Sequence, residues 1–276
     1  MSLVLITGAG GRIGTWLRGG LPERGWAVRS LDVVPMPDER PGEEQLVADV
    51  TDLAAMTDAA QGVDAVVHLA GVVGESTWPA ISHANIEGTY ATLEAARRAG
   101  VQRVVLASSN HASGFTPRPA QGLLREQDAP PRPDTYYGVA KVAMEALGSL
   151  YHDRYGMDVV CLRIGSAFPE PTTVRMLATW LSPADSVSLV DAALTTPEPG
   201  YAVVWGVSDN TRNWWDLTAA RALGYEPADD AEVYAEALIE AYGEADPDDP
   251  VHNRVGGQYT LPEFDAENVE AAGGRL

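Results

Sequence analysis

Tyr137 and Lys141 stand four residues apart in the segment Tyr137-Gly-Val-Ala-Lys141, and the tetrad Ser108-Ser109-Asn110-His111 ends 26 residues before Tyr137. A spacing of four puts two side chains on one helical face. An ammonium there favours the phenolate of its neighbour, so Lys141 is expected to lower the pKa of Tyr137 and make it a base near neutral pH. Ser109 would hydrogen-bond the substrate oxygen as charge develops on it. Together these side chains can take a proton from a hydroxyl while a hydride leaves the same carbon, with no metal required. Tyr136 is excluded as the base by register, because only Tyr137 lies four residues from a lysine. Ser108 is expected to contact the strand or a cofactor.

Such chemistry needs a hydride acceptor, and the N-terminal region offers it a cradle. The run Thr7-Gly8-Ala9-Gly10-Gly11-Arg12-Ile13-Gly14 follows a strand-like stretch and opens a helical one. Gly8 permits a tight turn, Gly11 lets backbone approach a pyrophosphate, Gly14 allows close helix-to-strand packing, and the helix start offers free amides. Asp32 follows Gly14 by 18 residues at the end of the second strand. A carboxylate there accepts the ribose hydroxyls of NAD and repels a 2′-phosphate, which favours NAD over NADP. Arg12 and Arg29 are the nearby cations that could instead accommodate NADP. Asp49-Val50, after the third strand, suits an adenine edge, although Asp49 or Asp52 serves equally well as a plain helix N-cap. His68-Leu69-Ala70-Gly71 ends the fourth strand with small residues that leave room for cofactor, and His68 itself reads as a packed strand histidine. Asn85 suits the support of Lys141 through a water or backbone group, or is an ordinary helix polar residue.

The elements that must position these groups alternate short β-rich runs with longer helical patterns, which predicts a parallel sheet built of βαβ units. Strands are expected at Leu3–Thr7, Ala27–Asp32, Gln45–Ala48, Ala65–Leu69, Arg103–Ala107 and Asp158–Ile164. Helices are expected near Gly11–Leu21, Leu53–Ala60, Trp78–Ala99 and Tyr136–Tyr155. Right-handed crossovers would make one open sheet. The fold class is therefore α/β: a Rossmann-like, doubly wound parallel sheet in a single domain, 1–276. Residues 1–165 form its dinucleotide-binding core, and 166–276 form a small C-terminal elaboration that is mainly substrate-binding. Five prolines between Pro117 and Pro133 exclude a regular element there, leaving a lid or an ordered linker. Beyond Pro169 we expect helices at Thr173–Leu181 and Ser186–Thr195 and a strand at Tyr201–Val207. The acidic stretch Asp229–Asp249, which has no Lys or Arg, reads as a solvated helix and tail.

Charge narrows the partners. With 19 Lys and Arg against 39 Asp and Glu, the net charge is −20, the opposite of a nucleic-acid binder's field. An anionic ligand must then rest on a few local donors, for which Arg12, Lys141 and Arg175 are the candidates. The single cysteine, Cys161, lies in the apolar run Met157–Ile164 without a disulfide partner, which points to a reducing, cytoplasmic setting. Strand-like residues begin directly after Met1, and no apolar run approaches membrane-spanning length, so neither targeting nor a membrane is expected. There is no HExxH, no Cys/His cluster and no GxSxG, so metal hydrolysis and nucleophile-elbow chemistry lack support.

The motifs TGAGGRIG, Asp32, HLAG, Asn85 and YGVAK resemble the extended short-chain dehydrogenase/reductase superfamily over roughly residues 1 to 165. The segments ASSNHASG, RPDTYYGVAK, LRIGSAFPEP, RMLATW and VVWGVSDN extend the likeness almost to the C-terminus and are similar to the uronate dehydrogenase family within it. Extended epimerases and dehydratases usually carry valine-tyrosine-glycine after the serine, where this chain has Ala112-Ser113-Gly114. The resemblance implies NAD-dependent oxidation of D-galacturonate or D-glucuronate at C1 to the aldarolactone, with Tyr137 as base, Ser109 orienting the oxygen and Lys141 holding the ribose. It implies cofactor contacts from Gly8, Gly11, Arg12, Ile13, Gly14, Asp32, Asp49, Val50, Leu69, Ala70, Gly71, Asn85, Tyr137, Lys141 and Ile164. Substrate contacts would come from Val73, Ser109, Asn110, His111, Tyr137, Ser166 and Arg175, the last pairing with the sugar carboxylate. Val73 stands where the family can offer a polar side chain, so a contact there would have to come from backbone. A homo-oligomer is expected from family habit and the long helices near 78–99 and 136–155, the alternative being that those faces are covered within the one chain. The competing readings are a sugar-nucleotide epimerase or dehydratase, which would need a larger C-terminal region, and a non-catalytic NAD-sensing regulator, which typically lacks the tyrosine.

Overall fold

Leu3 to Ile6, Ala65 to Val67 and Val104 to Leu106 are runs of Val, Leu, Ile and Ala that are almost wholly buried, as strands covered on both faces by helices require. In the computed structural model, which describes residues 2–271, they form the middle of a seven-stranded sheet. Its strands are β1 (Ser2–Thr7), β2 (Trp26–Asp32), β3 (Glu44–Val47), β4 (Ala65–His68), β5 (Arg103–Leu106), β6 (Asp158–Ile164) and, after a separate pair β7 (Ser166–Ala167) and β8 (Trp180–Leu181), β9 (Tyr201–Gly206). All pair in parallel, in the order β3-β2-β1-β4-β5-β6-β9. The chain runs outward from β1 to β3 and then returns to place β4 on the other side of β1. The crevice at that switch, beyond the carboxyl ends of β1 and β4, is where such sheets bind ligands.

The helices are α1 (Arg12–Glu23), α2 (Leu53–Ala59), α3 (Trp78–Ile81), α4 (Gly88–Ala99), α5 (Tyr136–Tyr155), α6 (Met176–Thr179), α7 (Pro183–Thr195), α8 (Thr218–Ala222) and α9 (Ala235–Tyr242); α10 (Pro250–Asn253) and α11 (Ala266–Ala271) follow. Leu17 and Leu21 of α1 and Leu189 and Val190 of α7 cover one sheet face. Met56, Leu93 and Met144 of α2, α4 and α5 cover the other. Thus β9 and α7, both beyond residue 165, complete the same layers.

Three local differences from the sequence expectation matter for the site. The helix expected over 78–99 is interrupted by a π-helical stretch, Ser82–Glu87, a device that often marks a functional position. The helix expected over 173–181 shrinks to α6, because Ser182 N-caps α7 by accepting from Asp185 N, with Pro183 at the first helical position. The chain must be extended just before that cap, and Trp180-Leu181 instead form β8 against β7. The acidic 229–249 segment is more than a solvated tail, since Ala231 and Ala235 are buried against Val174, Leu177 and Trp180.

The 117–133 stretch is tied down along its length. Leu124 O accepts from Trp205 Nε1 (3.0 Å), Glu126 Oε1 from Trp205 N (2.9 Å), and Ala129 O from both Ser113 Oγ and Arg163 Nη1 (2.8 Å each). None of its residues lines the main cavity. That is the arrangement of an ordered linker. Among the described residues no helix is long and apolar enough to cross a membrane, and no group of three His, Cys, Asp or Glu is placed to hold a metal.

Candidate active site

A cavity of about 510 Å³ opens at the carboxyl ends of the central strands and runs from Gly8, Gly11 and Gly14 past Leu69 and Gly71 to Ser109, Tyr137, Lys141, Ser166 and Arg175. Its first half is backbone brought unusually close. Gly8 has φ +68°, and a Cβ there would sit 2.6 Å from Ala70 N; one on Gly14 would sit 2.5 Å from Gly8 O. The loops after β1 and β4 therefore touch through atoms no larger side chain would allow. Asp32 Oδ2 accepts from Gly10 N (2.9 Å), so the carboxylate that ends β2 faces the glycine turn. Arg29 is removed from contention, because its guanidinium is spent on Glu44 and on the carbonyls of Ala59 and Gln61. Arg12 reaches across the mouth, its Nη1 donating to Ala167 O (3.0 Å) and its guanidinium 4.0 Å above the Phe168 ring.

Ile13, Leu69, Gly71, Val73 and Ile164 line the cavity with the residues named above, whereas Asp32, Asp49, Val50, Ala70 and Asn85 do not. Asp49 accepts from Thr51 N and Thr51 Oγ1 (2.9 and 2.8 Å), bonds that hold its carboxyl below the usual range. The helix cap falls to Asp52, which accepts from Ala54 N and Ala55 N. Val50 packs toward Gly88. Asn85 corrects an expectation: it grips Val72 on both sides, accepting from Val72 N (2.7 Å) and donating to Val72 O (2.9 Å), rather than supporting Lys141. Lys141 Nζ donates to Ala107 O instead (2.6 Å). His68 is a packed strand histidine within reach of the hydroxyls of Thr7, Thr89 and Thr92. Burial, seconded by the charge of Lys141, pushes it down to about 3 and keeps it neutral.

Ser109, Tyr137 and Lys141 do meet. Ser109 leaves β5 in extended backbone and bridges to Ile164, while Tyr137 and Lys141 rise from the first turns of α5. Lys141 Nζ lies 5.2 Å from the centre of the Tyr137 ring. The expected lowering of the Tyr137 pKa is not found. Burial pushes the phenol up, and the hydrogen bond from Ser109 offsets only part of that. The same burial pulls the Lys141 ammonium down to about 8. A desolvated site penalises both charged forms, and burial is the largest cause of the shift at each. Ser108 also departs from expectation, donating to Glu145 Oε1 (2.6 Å) in a buried pair with Arg163 (2.9 Å) behind α5.

The far end is polar and strongly connected. Asn110 Nδ2 donates to Val255 O (2.8 Å); Arg175 Nη2 donates to the same carbonyl, and Arg175 Nη1 to Thr179 Oγ1 (3.0 Å). Ser166 Oγ pairs with that Thr179 hydroxyl (3.0 Å). His111 Nδ1 bonds Asp134 Oδ2 (2.7 Å), and its ring lies 4.1 Å from Tyr259 and 5.8 Å from Tyr137. Burial pulls Arg175 down to about 10, against the restoring charges of Asp134 and Tyr259, so it is still a cation at neutral pH. Val73 sits on the rim, 83 % exposed.

Sequence reasoning missed Asp134 and the whole segment Val255–Tyr259, which closes this end. No spacing links that segment to Tyr137 or Arg175. The pair Gly256-Gly257 was its only visible signal: a Cβ on Gly256 would run into the Asp134 carboxylate, and one on Gly257 into Arg175.

Comparison with known proteins places this geometry in context. The profile of the NAD dependent epimerase/dehydratase family matches residues 4–218. A uronate dehydrogenase of Pseudomonas putida is 42% identical over 259 residues, covering 94% of this chain and 95% of the relative. An NAD-dependent glucose-6-phosphate dehydrogenase of Haloferax volcanii is 39% identical over 247 residues, covering 83% and 94%. The crystal structure of an Agrobacterium tumefaciens uronate dehydrogenase variant complexed with NAD superposes with a TM-score of 0.88 at 38% identity, covering 96% of this chain and 99% of that one.

Proposed function

Since the chain belongs to the NAD dependent epimerase/dehydratase family and is similar over nearly its whole length to uronate dehydrogenases, we propose that it oxidises a uronic acid, galacturonate or glucuronate, at C1 with NAD and releases the aldarolactone. The observation that carries this reading is the half-buried Arg175 cation at the far end of the cavity that also holds Ser109, Tyr137 and Lys141. A planar guanidinium suits a carboxylate, which it can bind with two parallel bonds.

The near end fits a dinucleotide. Gly8, Gly11 and Gly14 keep the backbone bare for a pyrophosphate at the start of α1, and Asp32 ends β2 where a ribose would be accepted, with Arg29 committed to Glu44, Ala59 and Gln61 and Arg12 donating to Ala167 O. NAD, when bound, supplies the hydride acceptor and a fixed positive charge. In this reading Tyr137 takes the proton of the anomeric hydroxyl, Ser109 donates to that oxygen and fixes its position, and Lys141, anchored on Ala107 O, contributes positive charge to the same pocket. Burial pushes the Tyr137 phenol up, so added positive charge in the pocket would favour its ionisation. Asn110, His111 and Ser166 would read ring hydroxyls, and Val73 would act through its backbone.

Residues 1–165 would then hold chiefly the dinucleotide and 166–276 chiefly the sugar. Exposed Tyr90 of α4 and Val139, Leu150 and Tyr155 of α5 support a homo-oligomer through these helices, and the buried, unpaired Cys161 supports a cytoplasmic enzyme. The test is a panel of galacturonate, glucuronate, glucose 6-phosphate and a UDP-sugar with NAD and NADP. Growth of NADH absorbance with a uronate is expected; turnover of the UDP-sugar alone overturns the proposal.

A further inference from the structure

The loop after β4 is held at two points. Asn85 grips Val72, as described, and three residues later Glu75, only 7 % exposed, turns back onto the start of α5. Glu75 Oε2 accepts from Tyr136 N (2.7 Å), while Oε1 accepts from Ser76 N (3.2 Å). Thr135 itself caps only Gly138 N (3.1 Å). The first free amide of the helix that carries Tyr137 is therefore satisfied by a carboxylate 61 residues upstream, a charge-assisted arrangement that also suits the helix dipole. Between the two holds lie Val73 and Gly74. Gly74 has φ +82°, and a Cβ on it would sit 3.1 Å from the Tyr259 hydroxyl. This short span is the part of the loop that faces the sugar end, and it is too small to hold itself in place.

We propose that Glu75 is a positioning residue, locking the Val73–Gly74 edge of the sugar pocket to the first turn of α5 so that Tyr137 and the loop facing its substrate move as one body. The assignment builds on the reading of the cavity as a uronate site. It separates two jobs within one loop: Asn85 sets the part that borders the dinucleotide, Gly71 and Val72, and Glu75 sets the part that borders the sugar. Burial pushes the Glu75 carboxyl up, against the amide bonds that favour its charge, so the chain keeps a costly buried group where a surface cap would be cheaper.

The experiment compares the full-length protein with Glu75→Ala and Glu75→Gln by hydrogen exchange, NAD titration and steady-state kinetics. For Glu75→Ala we expect faster exchange at the amides of 136–137 and 72–74, a fall in sugar kcat/KM of up to about 10²-fold, the scale of a misplaced reacting group, and NAD affinity within about twofold of the parent. Glu75→Gln, whose amide oxygen still accepts, should recover most of the loss; if Glu75→Ala does not fold, a smaller loss with the same split in Glu75→Gln carries the result. Unchanged exchange and kinetics, or an NAD affinity that falls in step with sugar efficiency, overturns the proposal. Should the parent turn over no uronate, the functional reading falls while exchange at 136–137 still decides the lock. Uronate turnover in the parent with an unaffected Glu75→Ala sinks the lock alone.

Discussion

Replacing Arg175 by lysine tests the proposal that its guanidinium makes the site a uronate site. The guanidinium spends one hydrogen of Nη1 on Thr179 Oγ1 and one of Nη2 on Val255 O, which leaves the second hydrogen of each nitrogen for a carboxylate fork. An ammonium at the same place has three donors on one atom and cannot keep both anchors and a paired contact. Losing one charge-assisted bond costs about 1.5 to 3 kcal/mol, or roughly 10- to 150-fold in kcat/KM. The wall should survive, since Asn110 Nδ2 still occupies Val255 O. A neutral sugar forms no such bond, so the ratio of kcat/KM for glucuronate over glucose should fall by that same factor, read from NADH formation in parallel assays. The gap should widen as pH rises from 7 to 9. Burial already pulls the arginine down to about 10, and a lysine in that position starts lower and sheds its proton earlier. An equal fall on both sugars, or a ratio indifferent to pH, would show that Arg175 only builds the wall and would refute the carboxylate role.

Tyr137→Phe should lower turnover by about 10²- to 10⁴-fold, the usual weight of a general base, with NAD affinity by calorimetry unchanged; substantial residual turnover would assign the base elsewhere. Lys141 is buried with its pKa lowered to about 8, so the unfolded chain binds more protons than the folded one between pH 8 and 10.5, and this group makes stability rise with pH across that window. Replacing it by methionine should remove that rise and raise neutral-pH stability by up to about 3 kcal/mol, less what Ala107 O loses with its donor; denaturant midpoints at pH 7 and 10 decide it, and an unaltered slope refutes it. Because Arg29 is already committed, Asp32→Ser should raise the NADP-to-NAD efficiency ratio through loss of repulsion alone, with NADP still bound weakly. Tight NADP binding by that variant would mean that another cation serves the 2′-phosphate.

How much was legible in the sequence follows from range. The glycine turn, Asp32 and the Tyr137–Lys141 pair are local patterns whose spacing has one geometric meaning, and the alternation of β and helical runs fixes a parallel sheet before any contact is known. What escaped reading depends on desolvation or on distant chain. No spacing says that the cavity is dry enough to raise the Tyr137 phenol rather than lower it, because that is a property of everything packed around α5. Asn85 was visible as a polar helix residue, but its grip on Val72 depends on a π-turn that periodicity does not show. Asp134 lay within a recognised motif, yet its pairing with His111 and its burial beneath Gly114 and Gly256 required three segments to converge. Trp180-Leu181 looked helical because the pattern around them is apolar; the cap at Ser182 overrode it.

The Val255 carbonyl, which both Asn110 and Arg175 address, has a consequence for how the molecule comes into being. Synthesis proceeds from the N-terminus, so the glycine turn, the proton-handling tyrosine and its lysine leave the ribosome more than a hundred residues before the segment that closes the sugar end. On the proposed division of the cavity, a nascent chain would hold every residue of the dinucleotide end while the other end still lacks a floor. On the proposed reading, discrimination between sugars would be the last property the protein acquires. For the same reason an extension or deletion near residues 254–260 should change which sugar is accepted long before it changes whether the cofactor is held.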